Sequence, residues 1–123
     1  MIIKESQENY LETIFVLQKK NGHVRSIDIA NELGFSKPSV SVAMKNFKNE
    51  GYIETDEILG ITLTEKGRKI AENVYDRHEI IAKALILLGV TPETAYEDSC
   101  RIEHDISSET FHKLKEHVEK YEK

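Results

Sequence analysis

The sequence predicts a mostly helical fold broken by one small β-hairpin, with three helices before the hairpin and three after it. Three observations carry this. Apolar residues recur at helical spacing through residues 5–20 and again from 64 to about 88. Helix stops and starts punctuate the chain at Asn21-Gly22, Gly34, Gly51, Gly89 and Thr91-Pro92. Two short β-prone runs, about 52–56 and 61–64, hinge on Leu59-Gly60.

The first helix is "ESQENYLETIFVLQKK", where Tyr10, Leu11, Ile14, Phe15, Leu17 and Gln18 follow a helical rhythm before Asn21-Gly22 ends it. "RSIDIANELGF" predicts a short second helix, capped by Ser26, apolar through Ile27, Ile29, Ala30 and Leu33, and ended by Gly34. The third is "SKPSVSVAMKNFKNEGY". Ser36 is its expected N-cap, Pro38 falls in the first turn where a missing N–H is harmless, and Val40, Met44 and Phe47 should face the core. Its exposed first turns carry Lys37, Ser39, Ser41 and Lys45. Short hydroxyls and lysines let a helix N-terminus approach phosphates and base edges. A helix, a turn containing Gly34, such a helix and then a hairpin make a winged helix-turn-helix, so double-stranded DNA is the expected partner and Ser36, Lys37, Pro38, Ser39, Ser41 and Lys45 its expected contacts. Three amphipathic helices of an ordinary bundle would show the same periodicity without the hairpin. The hairpin itself is acidic, with Glu54, Asp56 and Glu57, so the third helix must carry most of the phosphate neutralisation.

Thr64 caps a long helix to about Leu88; Thr91 and Pro92 start another, expected to run through His104; Ser107 or Ser108 starts the last. These helices hold too few apolar residues for an independent core. Ile80, Ile81, Ala84, Leu85 and Leu88 are therefore expected to pack on a twin, with Ile81, Leu85 and Leu88 at the centre of a homodimer interface. The expected organisation is a DNA-binding part over 1–70 and metal-binding, dimerising helices over 71–123.

Composition agrees with a globular chain of 123 residues, 39% hydrophobic and 32% charged. Net charge is −5, yet residues 1–75 hold 10 basic and 11 acidic groups, whereas 76–123 hold 7 and 11. The excess acid therefore lies in the back half, where a bound cation would relieve it. No run reaches the roughly 20 apolar residues of a membrane span, and "MIIKESQENY" lacks the form of a signal peptide. With one cysteine there is no disulfide within the chain, which fits a reducing cytoplasm.

That cysteine lies in "DSCRIEHDIS". Cys100, Glu103 and His104 are spaced i, i+3, i+4 and would project from one helix face. Thiolate, carboxylate and imidazole together suit a first-row transition metal, while calcium or magnesium would call for oxygens alone. Asn9 and Glu12 on the first helix and His78 on the long helix are further candidate ligands. The plainer alternative is a small packing cysteine beside a solvated Glu-His pair. His23, His112 and His117 are expected at the surface with no role.

Five segments, "ENYLETIFVL", "SKPSVSVAMKNF", "LTEKGRKIA", "DRHEIIAKALILLGV" and "CRIEHDIS", spread over essentially the whole chain, resemble the diphtheria toxin repressor and manganese transport regulator family of metal-dependent repressors. With no third domain following, the chain is similar to the short manganese-regulating branch rather than the longer iron-regulating branch with its SH3-like extension. The resemblance implies a cytoplasmic transcriptional repressor of metal-uptake genes, not an enzyme, that takes Mn²⁺ or Fe²⁺ as cofactor, with Co²⁺ and Zn²⁺ able to substitute in vitro. It implies operator DNA and a second copy as partners, with no membrane and no small organic substrate. Glu12 matches a ligand of the manganese branch, and His78, Glu103 and His104 match ligands of both. Cys100 stands where the iron branch has cysteine and the manganese branch glutamate, while Asn9 replaces an Asp or Met with a neutral amide. Two positions of the iron branch's ancillary site read Ala82 and Tyr96, which puts that second site in doubt in its usual form. The implied mechanism is linkage: bound metal fixes the separation of two recognition helices, of which only about 34 Å matches successive major grooves. Two alternatives are a metal-independent winged-helix regulator and a metalloenzyme. The second lacks any separate acid/base pair or nucleophile arrangement.

Overall fold

A computed structural model describes residues 5–122. The N-terminal tetrapeptide, part of the stretch read as lacking a signal, and Lys123 lie outside the described residues. Helices α1 (Glu5–Asn21), α2 (Ser26–Leu33) and α3 (Lys37–Asn49) precede strands β1 (Ile53–Asp56) and β2 (Gly60–Leu63). Helices α4 (Glu65–Leu87), α5 (Pro92–Ile102) and α6 (Ser108–Tyr121) follow. The chain forms two compact units, divided between Glu72 and Asn73, so the division falls inside the continuous helix α4 rather than in a linker.

In the first unit Leu11, Ile14, Val24, Ile29, Val40, Phe47 and Ile53 are fully or almost fully buried in one core. Tyr10 sets its ring edgewise against Phe35 and Phe47, at 5.7 and 5.8 Å between centroids. α2 starts one residue earlier than Ser26 capping would give: Arg25 is the N-cap, and its N–H donates to the Asp28 carboxylate at 2.9 Å. The acid three residues on serves the helix start, so a serine hydroxyl is not needed there. Gly34, at φ +71°, closes α2 in the left-handed conformation expected of such a stop.

The hairpin pairs Ile53 with Leu63 and Thr55 with Ile61 in antiparallel register. Its turn end is fastened to the segment between α1 and α2. The Val24 N–H donates to the Leu59 carbonyl at 3.0 Å, and the Ile61 N–H donates to the Val24 carbonyl at 2.7 Å. Gly60 makes this possible: it holds φ +79°, and a Cβ there would lie 2.1 Å from the Val24 carbonyl oxygen. Thr64 caps α4 as its position predicts, accepting from the Gly67 N–H at 3.2 Å and donating to the Gly51 carbonyl at 2.7 Å.

The second unit has a small core of its own, Ile80, Ala84, Phe111 and Val118, with Ile106 and Leu114 packed against it. The expectation that the last three helices lack a core is therefore corrected: α6 supplies the missing apolar face through Phe111 and Val118. The expected dimer stripe changes with it. Ile81 keeps only 1% of its surface within a single chain, and Ile80 and Ala84 are buried too, so a twin has almost nothing left to cover there. Leu85 is half-buried, and Leu88 lies just past the helix end, 78% exposed beside the exposed Leu87. The apolar surface still open to a partner is thus at the C-terminal end of α4.

Candidate metal centre and nucleic-acid interface

α3 is two-faced in the way its sequence requires. Val40, Met44 and Phe47 are buried, whereas Ser36, Lys37, Pro38, Ser39, Ser41 and Lys45 are all exposed. The Ser36 Oγ accepts the Ser39 N–H at 3.3 Å and donates to the Ser39 Oγ at 2.8 Å, so the cap is built and the helix N-terminus presents hydroxyls. Val42 lies on the same face, 60% exposed, between Ser39 and Lys45. Sequence reasoning passed over it because an apolar residue in an amphipathic helix is assigned to the core by default. Its three-residue offset from both Ser39 and Lys45 was the available signal.

The wing presents exposed Glu54, Asp56 and Glu57. The Asp56 carboxylate turns onto its own turn, accepting the N–H groups of Ile58 at 2.7 Å and Leu59 at 2.8 Å. The bonds from Leu59 and then Ile58 favour the charged form and hold the Asp56 carboxyl below the usual carboxylate range. The wing thus offers no cation at its tip.

The candidate metal centre lies in the second unit, where α4 supplies His78 and the end of α5 supplies the rest. α5 stops at Ile102, two residues before the expected end, as the Asp105 N–H closes a tighter turn onto the Ile102 carbonyl at 3.0 Å. Glu103 keeps helical backbone angles as the C-cap, so its one-turn relation to Cys100 survives, while His104 sits in the turn. His78 Nδ1 lies 2.9 Å from Glu103 Oε2, 2.7 Å from Ser99 Oγ and 3.7 Å from Cys100 Sγ. His104 Nε2 is 3.3 Å from Glu103 Oε1. The Glu103 side chain is 1% exposed and that of His104 2%, while Cys100 is exposed.

One contact decides the chemistry. Glu103 Oε2 is buried and meets no hydrogen in bonding alignment, although an imidazole nitrogen is only 2.9 Å away. The contact is an ion pair where the imidazole carries a charge, and otherwise two metal-donor atoms in close approach, because a hydrogen bond needs alignment as well as distance. A buried acceptor left in this state is costly unless a cation is shared with its neighbours. A nitrogen and an oxygen donor in contact, with a thiol sulfur 3.7 Å from the nitrogen, are donor types that suit a first-row divalent metal. Within the second unit His78 thus meets Glu103 and Cys100, and His104 meets the other Glu103 oxygen; Asn9 and Glu12 lie one turn apart on α1 of the first unit, both half-buried.

Sequence reasoning missed the surroundings of these groups. Ser99 is completely buried, and Arg77 Nη1 donates to the carbonyls of Glu103 and Ile106 at 3.3 and 3.4 Å, pinning the turn that carries His104. The Tyr96 hydroxyl donates to Glu79 Oε2 at 3.1 Å, and its ring lies 5.5 Å from that of His78. Burial, then the Glu79 carboxylate, push the Tyr96 hydroxyl above its ordinary value. Ala82 is fully buried. His23, His112 and His117 are exposed, as expected.

Two family descriptions match the chain: an iron dependent repressor N-terminal DNA binding domain over residues 3–61, and an iron dependent repressor metal binding and dimerisation domain over residues 64–123. The chain belongs to the iron-dependent repressor family. Among relatives, the transcriptional regulator MntR of Escherichia coli is 37% identical over 107 residues, covering 87% of this chain and 69% of its own length. An uncharacterised helix-turn-helix transcriptional regulator of Methanocaldococcus jannaschii is 34% identical over 121 residues, covering 97% of both proteins. The solved structure of the manganese regulator SloR superposes with a TM-score of 0.77 at 27% identity, over 97% of this chain and 55% of that one. The winged helix-turn-helix and the helices after it are thus the DNA-binding and the metal-binding and dimerisation domains of this repressor family. Among the described residues no helix is long and apolar enough to cross a membrane.

Proposed function

We propose that this chain is a cytoplasmic repressor of metal-uptake genes that reads Mn²⁺ or Fe²⁺ through His78, Cys100, Glu103 and His104, with Asn9 and Glu12 completing the donor set. The observation that carries this reading is the buried Glu103 oxygen crowded against His78 Nδ1 with no aligned hydrogen between them. When bound, the metal supplies the positive charge that lets these donors share one point. Glu103 provides the buried carboxylate, oriented on its other oxygen by His104. Cys100 provides the softest donor, which must give up its proton to act. Bound metal would thereby set the spacing of two recognition helices in a homodimer.

On DNA, Ser39 and Ser41 are short enough to let the α3 backbone approach the major groove, while Lys37 and Lys45 reach phosphates. A homodimer places two such helices, and only a separation of roughly 34 Å engages successive major grooves. Differential affinity for that geometry couples metal and operator, so each tightens the other.

Anaerobic Co²⁺ titration tests the donor set. An intense near-ultraviolet charge-transfer band, saturating with binding and absent in Cys100→Ala, is the expected result. Stoichiometric Co²⁺ binding without the band would remove Cys100 from the set, and no binding at all would overturn the metal reading.

A further inference from the structure

We propose that Ser99 is a positioning residue that locks His78 in the metal-free protein and so sets the metal concentration at which the centre fills. The inference rests on the reading of His78 as a ligand. Ser99 is completely buried one residue before Cys100, where a packing residue would normally be apolar. Its hydroxyl lies 2.7 Å from His78 Nδ1 in hydrogen-bonding geometry. The same hydroxyl has a second acceptor, the Tyr96 carbonyl of its own helix, at 3.3 Å.

A serine hydroxyl has one hydrogen and a neutral imidazole nitrogen has one in-plane lone pair. With the imidazole hydrogen on Nε2, the tautomer this latch requires, the Ser99 hydrogen serves one of its two acceptors at a time, and the nearer one is Nδ1. That nitrogen is the atom Glu103 Oε2 and Cys100 Sγ both flank, at 2.9 and 3.7 Å. Glu103 Oε2 is nevertheless the atom without an aligned partner, because the in-plane direction of Nδ1 is taken by Ser99. Ligation through Nδ1 requires the same lone pair. Ser99 then yields it by turning its hydrogen to the Tyr96 carbonyl, which lies one turn earlier on α5. The residue acts as a two-position latch, holding the ring in place without metal and releasing one nitrogen when metal arrives. In neutral solution the exchange of one good hydrogen bond for a longer one weakens binding by about two- to ten-fold.

The test compares wild type with Ser99→Ala in the full-length protein. Competition titration with Co²⁺ should show about two- to ten-fold tighter binding by the variant. In metal-free protein labelled with ¹⁵N-histidine, the His78 Nδ1 resonance should move in the variant while the His104 resonances stay. Equal or weaker Co²⁺ binding by Ser99→Ala, or an unmoved Nδ1 resonance, overturns the latch. If the variant does not fold, wild type carries the test: diamagnetic Zn²⁺ should shift Nδ1 of His78, and a shift confined to Nε2 overturns the proposal. Wild type that binds neither Co²⁺ nor Zn²⁺ would instead overturn the metal reading on which the latch rests.

Discussion

Replacing Glu103 by glutamine should make the metal-free protein more stable while abolishing its response to metal. The Glu103 side chain is 1% exposed, and its Oε2 has no aligned hydrogen although His78 Nδ1 is 2.9 Å away. An unsatisfied buried acceptor costs about 1–3 kcal/mol, more if charged. Glutamine has nearly the same shape but carries no charge, so the cost of burying the group falls by about 1–2 kcal/mol. For a chain of 123 residues this raises the midpoint of thermal unfolding by roughly 4–8 °C. Against this, a ligand at 100 times its dissociation constant stabilises wild type by about 2.7 kcal/mol, roughly 10 °C, and that increment should vanish when the carboxylate is gone. Differential scanning calorimetry with chelator and with excess Mn²⁺ separates the two effects. A Glu103→Gln variant that melts below wild type without metal, yet keeps the full Mn²⁺ increment, would refute both the unmet oxygen and its role.

Three further outcomes follow from other parts of the molecule. Lys45→Ala should weaken binding to every duplex sequence and reduce the slope of log K against log salt by about one unit, measured by anisotropy; an unchanged slope removes Lys45 from the interface. Gly60→Ala should cost about 2–4 kcal/mol in chemical denaturation. The left-handed backbone penalises a side chain there, and its Cβ would displace the Val24 carbonyl that holds the wing. A loss under about 0.5 kcal/mol would contradict this. Asp56 should titrate below the ordinary carboxylate value by carbon NMR. Its folded-state value is depressed, so its contribution is present above the unfolded value and fades as pH falls through the folded one. Amide exchange at Ile58 and Leu59, corrected for intrinsic rates, should quicken over that window, and a midpoint at or above the ordinary value would exclude the two backbone bonds.

The helices were legible because their ends are written in local chemistry. Ser36, Thr64, Thr91 and Ser107 stand at the predicted starts, and Gly34 closes α2. Local chemistry also explains the misplaced ends: at Arg25 an acid three residues on replaced the serine cap, and at Ile102 a tight turn cut α5 short. Which surface covers an apolar stripe is not local. Periodicity put Ile80, Ile81 and Ala84 on one face of α4, but it could not show that they are buried within the chain, or that Phe111 and Val118 of α6 join Ile80 and Ala84 in one core. The donor residues were legible for a similar reason to the helices, since Cys100 and Glu103 are one turn apart. Ser99 was not, because its meaning depends on a histidine 21 positions away and a serine in isolation resembles surface.

Metal control of DNA binding is open to one direct measurement. A duplex selected from a random pool by this protein in the presence of Mn²⁺ would be labelled and titrated by fluorescence anisotropy, under anaerobic conditions, with Mn²⁺, with Fe²⁺ and with chelator. Tight binding that requires either metal, is lost on chelation and returns on readdition is the predicted result. Equal affinity for the selected duplex with metal and with chelator would contradict the account, leaving a winged-helix protein that binds DNA without sensing an ion.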